Sequence, residues 1–63
     1  MSRIFLVRSE RDPGVYNILG VFTTDDEAYL FAHSHRSAAP INIVELVYDS
    51  ATGEVSQTRI EYL

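Results

Sequence analysis

The sequence predicts one α+β domain with the element order ββαββ, in which a four-stranded antiparallel sheet of order 2-1-3-4 carries one helix on one face. Three observations predict it: four β-branched and aromatic segments, turn residues inside each pair of segments, and a helix-capping motif between the pairs. A chain of 63 residues buries only about 60% of its unfolded surface, so we interpret residues 1–63 as a single domain.

The first pair of segments predicts a hairpin. Arg3–Arg8 has a continuous apolar centre, which is typical of a central strand covered on both sides. Ser9–Gly14 is rich in turn residues and predicts the reversal. Val15–Phe22 is the returning strand, and Gly20 inside it indicates a bulge or a close approach of another group to the backbone.

The helix begins at a capping box, Thr24–Glu27, in which Thr24 accepts from the Glu27 backbone N–H and three acidic side chains favour the positive helix end. We expect the helix to end near Ser37, because Pro40 disfavours helical geometry at the residue before it. Its predicted apolar stripe has the spacing i, i+3, i+4, i+7 and consists of Ala28, Phe31, Ala32 and His35.

The second pair of segments, Ile41–Tyr48 and Val55–Leu63, predicts another hairpin, with Gly53 placed for a left-handed residue in its loop. If the helix runs back across the sheet, the third strand is parallel to the second, and the first fits between them. The order 2-1-3-4 follows. One helix covers one face, so the other face is left open to water or to a partner.

Composition limits the class of protein. There is no cysteine, so a core this small gains nothing from disulfides and benefits from a metal or a partner subunit. No run approaches the roughly 18 apolar residues that cross a bilayer, and the apolar stretch at the start is too short for a signal peptide. We therefore expect a cytoplasmic protein without a membrane partner.

No catalytic or metal-binding pattern is evident. His33 and His35 are two residues apart and point in nearly opposite directions on a helix, which predicts no metal site. The acidic side chains of the first helical turn are typical of a solvated cap rather than of an acid/base pair. No nucleophile elbow or glycine-rich phosphate loop is present. The sequence predicts neither an enzyme nor a cofactor.

Tyrosine and charged side chains are the best candidates for contact with a partner. Tyrosine is enriched at protein interfaces because its ring is apolar and its hydroxyl is polar. Tyrosines combined with Arg3, Arg8 and Arg59 would also suit a stacking platform for single-stranded nucleic acid, but the net charge of −4 disfavours this hypothesis. The predicted partner-binding residues are Tyr16, Tyr48, Tyr62, Arg59, Asp25 and Asp26.

The segment Leu19–Thr24, followed by Glu27 and Ala28 and preceded by the strand Arg3–Val7, resembles small uncharacterised proteins of bacteria and their phages. In those chains a strand ending in G-V-[FY]-[ST]-[ST] leads into a capped helix. The resemblance implies the ββα arrangement of the first half of the chain. It implies no activity and no functional residues.

The sequence thus favours a non-enzymatic protein-binding or accessory module, of the kind that phages or mobile elements encode, that acts through a sheet face or edge. One alternative is an acidic inhibitor that imitates nucleic acid, as some anti-CRISPR and anti-restriction proteins do, and another is direct binding of single-stranded nucleic acid. We also expect a homodimer, because an apolar row on the open face would otherwise lie in water. Either that face or an edge strand, the second or the fourth, is available for the pairing.

Overall fold

The computed structural model describes residues 2–35 and 40–63. Its elements are β1 (Ser2–Asp12), β2 (Val15–Phe22), α1 (Asp25–Ser34), β3 (Ile41–Asp49) and β4 (Glu54–Tyr62). The strands form one sheet in the order β2-β1-β3-β4, and every neighbouring pair is antiparallel. The α+β class, the ββαββ order and the strand order predicted from the sequence are therefore confirmed.

The core lies between α1 and one face of the sheet. Ala28 and Ala32 are fully buried, and their small side chains let the helix lie close to β1 and β3. Phe31 and Phe22 close the side of this core, with ring centroids 5.0 Å apart. The buried apolar residues of the cluster are Phe5, Val7, Ala28, Ala32, Ile41 and Ile43.

The cap of α1 is formed as predicted. Thr24 has extended backbone angles, and its Oγ1 accepts from the Glu27 N–H at 3.3 Å. The Thr24 hydroxyl donates in turn to Oε1 of Glu27 at 2.8 Å, so the Glu27 side chain reaches back to the cap residue. The helix ends at Ser34, with His35 as its C-cap. The predicted end near Ser37 lies outside the described residues.

The first turn is shorter than predicted. β1 continues through the segment expected to turn, as far as Asp12, and leaves a two-residue reversal at Pro13 and Gly14. The extension is held from both sides, since Glu10 pairs with Tyr16 and its N–H donates to the Pro40 carbonyl at 2.9 Å. Gly14 has a φ of 80°, which suits glycine at this turn.

The prediction that β1 is a central strand is confirmed, because it lies between β2 and β3, but among the described residues α1 covers only one of its faces. Phe5 and Val7 point towards α1 and are buried, whereas Ile4 and Leu6 alternate with them and are only half-buried. The continuous apolar run of this strand therefore supplies one covered row and one uncovered row.

Both predictions for Gly20 are confirmed. The pairing of β1 with β2 shifts between Val7 and Arg8, which leaves Leu19 as the extra residue of a bulge. A Cβ atom on Gly20 would lie 2.8 Å from Cε2 of Phe22 and 3.3 Å from Cε1 of Phe31. Glycine is needed here because two aromatic rings occupy the space of a side chain.

Candidate protein-binding face

The face of the sheet opposite α1, called here the open face, has no covering element among the described residues. Partners across antiparallel strands share a face, so the register places the neighbours of Ile4, Leu6 and Arg8 on it as well. Its apolar side chains are Ile4, Leu6, Ile18, Val21, Val44, Leu46, Val55 and Ile60, and its other large side chains are Arg8, Glu10, Tyr16, Asn42, Tyr48, Gln57 and Tyr62.

The open face is most apolar at its centre and most exposed at its edges. Val44 is buried without any helix above it, because its partners Leu6 and Ile60 flank it on the neighbouring strands. On the outer strand β2, Ile18 and Val21 are 63% and 56% exposed. A continuous apolar surface of this kind is typical of an interaction site in a small protein.

Three of the predicted contact residues lie on this face. Tyr16 and Tyr62 stand on the two outer strands at the end of the sheet near Arg8, and Tyr48 stands at the opposite end. Tyr62 is 72% exposed. The structure therefore brings the three tyrosines onto one surface, although their role in binding stays a prediction.

The other predicted contact residues lie on the side of α1. Arg59 pairs with Glu45 across β3 and β4, on the covered face, and its Nη2 lies 3.1 Å from Oδ2 of Asp25. This hydrogen bond raises the pKa of Arg59, which stays charged at any physiological pH. Asp26 is exposed in the first turn of α1. These three residues are not part of the open face.

Arg8, which the sequence suggested only for nucleic-acid stacking, is a polar feature of the open face, and its contact with Asn42 was not predicted. Its Nε donates to Oδ1 of Asn42 at 2.7 Å, and its guanidinium carbon lies 3.8 Å from the centre of the Tyr16 ring. Asn42 is buried, so it is fixed by its surroundings and holds the guanidinium in one place. The signal in the sequence was the position of Arg8, which continues the alternation of Ile4 and Leu6.

The arrangement does not favour a nucleic-acid platform. Of the three arginines considered for it, only Arg8 lies on the face that carries the tyrosines. Arg3 pairs with Val47 on the covered side, where its Nε lies 3.9 Å from Oε2 of Glu45, and Arg59 contacts Asp25. A single arginine does not form the basic stripe that a phosphate backbone requires.

The two histidines contact different aromatic rings. The ring of His33 lies 4.4 Å from that of Tyr29, and the ring of His35 stacks on Phe31 at 3.9 Å. Nδ1 of His35 also lies 2.9 Å from the Phe31 carbonyl oxygen. Within the described parts of the chain, no three histidine, aspartate or glutamate side chains are grouped so that they could hold a metal ion.

Comparison with protein-family models, with curated proteins and with solved structures gives no significant match to this chain. Among residues 2–35 and 40–63, no helix is long and apolar enough to cross a lipid bilayer. Function is therefore inferred from the surface of the molecule.

Proposed function

We propose that this chain is a non-enzymatic protein-binding module and that the open face is its contact surface. The observation that carries the proposal is an apolar sheet face that no described element covers and that is exposed at Ile18, Val21 and Val55. The same face presents three tyrosines and one arginine whose position is fixed by Asn42 and Tyr16. Tyrosine and arginine are enriched among the residues that dominate binding energy, and apolar surroundings exclude water from their contacts.

The fixed position of Arg8 supports binding by this face. A free arginine loses much side-chain entropy when a partner orders it. Arg8 has already lost part of this freedom, because Asn42 accepts from its Nε and Tyr16 lies against its guanidinium. A partner that reaches this end of the face therefore meets a positioned donor group beside apolar side chains.

The acidic inhibitor is the weaker candidate. Its negative surface would be the start of α1, where Asp25, Asp26 and Glu27 are exposed. However, Asp25 is paired with Arg59, and Glu27 accepts from the Thr24 hydroxyl. The Arg59 cation thus offsets one of the three negative charges, and the helix end offers less net negative charge than the sequence suggests.

A photo-crosslinking experiment tests the proposal. Benzoylphenylalanine replaces Tyr62 or Tyr48 on the open face or, as a matched control, Tyr29, an exposed tyrosine of α1. After irradiation in an extract of the host cell, the two open-face positions should give a protein adduct of defined mass and Tyr29 should not. Adducts from Tyr29 alone, or loss of all adducts after nuclease treatment, would contradict the proposal.

A further inference from the structure

The two edges of the sheet are poorly suited to pairing with another strand. Leu19 forms a bulge in the middle of β2, and Thr58 forms one in β4, where the pairing with β3 shifts between Glu45 and Leu46. The Thr58 hydroxyl donates to Oε1 of Glu45 at 2.8 Å, which holds that bulge in place. Bulges twist an edge and interrupt its ladder, and proteins use them to prevent edge pairing.

The charges of β4 point to the same conclusion for that edge, whereas β2 carries no charged residue and is interrupted by its bulge alone. Strand β4 carries Glu54, Arg59 and Glu61 among its nine residues. Charged side chains on an edge strand disfavour the addition of a further strand. Assembly through the face, rather than through either edge, is therefore favoured.

The area of the open face lies at the lower limit of specific protein interfaces. Four strands about 4.8 Å apart and about nine residues long, with a rise of about 3.3 Å per residue, span roughly 19 by 30 Å. A contact between two copies covers on the order of 1,100–1,200 Å² of sheet area in total, which is at the lower limit of specific interfaces. The long dimensions of the molecule, 40 and 25 Å, accommodate such a face.

The charge distribution permits contact between two identical faces. The chain has a net charge of −4. Among the described strand residues that are not next to a hairpin turn, the only charged side chains on the open face are those of Arg8 and Glu10. These two charges are opposite in sign and two residues apart on β1. The excess negative charge lies elsewhere, so two open faces meet without net repulsion.

We propose that two copies of this chain pack open face against open face about a two-fold axis, forming a four-layer helix-sheet-sheet-helix dimer. The inference rests on the proposed function and names its partner as a second copy. Face-to-face sheets pack about 10 Å apart with their apolar side chains interdigitated. The dimer thereby adds a second core to a chain whose own buried core consists of a few side chains under one helix.

Light scattering after size exclusion tests the dimer. The natural chain at about 100 μM should have twice the chain mass of 7.1 kDa, and its melting temperature should rise with concentration. Ile18→Glu places a charge in the interface at a side chain that is already mostly exposed in the single copy. It should yield a folded monomer whose melting is independent of concentration.

The matched control is Leu30→Glu, which introduces the same charge at an exposed leucine of α1 and should remain a dimer. A dimer that persists in Ile18→Glu and dissociates in Leu30→Glu would overturn the proposed interface, as would a natural chain that is monomeric at 100 μM. In that last case, crosslinking of Tyr62 to a different protein would preserve the proposed function and reject only the self-association. A monomeric natural chain whose Tyr62 position gives no adduct would reject both the self-association and the proposed function.

Discussion

The start of α1 depends on one hydroxyl group, and its removal should destabilise the whole domain. Thr24 both accepts from the Glu27 N–H and donates to the Glu27 carboxylate. Thr24→Ala deletes both hydrogen bonds and leaves one N–H of the first turn without its partner. N-cap substitutions of this kind cost about 1 kcal/mol of free energy of unfolding.

This loss is large for so small a fold. The helix is the element that covers Phe5 and Val7, and it does so through the buried Ala28 and Ala32. A core of this size supplies only about 3–5 kcal/mol, so the cap represents a fifth to a third of the stability of a single copy. For a domain of this length, 1 kcal/mol corresponds to a fall of about 4–8 °C in melting temperature.

Circular dichroism at 222 nm measures this change, with all variants compared at one protein concentration because association shifts melting. Thr24→Ser keeps the hydroxyl group and should melt within about 2 °C of the natural chain. Equal melting temperatures for Thr24→Ala, Thr24→Ser and the natural chain would refute the capping role.

Two further substitutions test the packing around the sheet. Asn42→Ala removes the acceptor for Arg8 and should lower the free energy of unfolding in urea by about 2 kcal/mol, the range for hydrogen bonds to charged groups. Asn42→Asp retains an acceptor and should lower it by less. Equal losses of stability in the two variants would contradict the role of Oδ1. Gly20→Ala places a methyl group 2.8 Å from the Phe22 ring and should cost about 1–2 kcal/mol through overpacking. The Gly20→Ala loss should shrink in a Phe22→Leu background, and an undiminished loss would show that the backbone, not the ring, limits the site.

Much of the fold was predictable because its signals are local. The capping box marks the start of α1, and the turn residues divide each hairpin, so the element order follows without any long-range information. The length of β1 was not predictable in this way. Polar residues up to Asp12 stay in the strand only because β2 pairs with them along the full hairpin and the Pro40 carbonyl accepts from Glu10.

The composition of the open face was less accessible to sequence reasoning, because bulges change which residues share a face. Val21 and Ile18 are an odd number of positions apart, yet both lie on the open face, because Leu19 is an extra residue of β2 between them that has no pairing partner on β1. Val55 and Tyr62 share the face for the same reason, with Thr58 as the inserted residue. The contact between Arg8 and Asn42 likewise joins positions 34 apart in the chain.

Footprinting of the tyrosines tests the central claim, that the open face is the surface buried on binding, most directly. The chain contains four tyrosines, of which Tyr16, Tyr48 and Tyr62 lie on the open face and Tyr29 lies on α1. Oxidation by hydroxyl radicals, quantified by mass spectrometry, is compared between the dilute single chain and its assembled form. Assembly should reduce labelling of the three open-face tyrosines and leave Tyr29 labelled as before. Protection of Tyr29 with unchanged labelling of the other three would contradict the claim and place the contact surface on the helix.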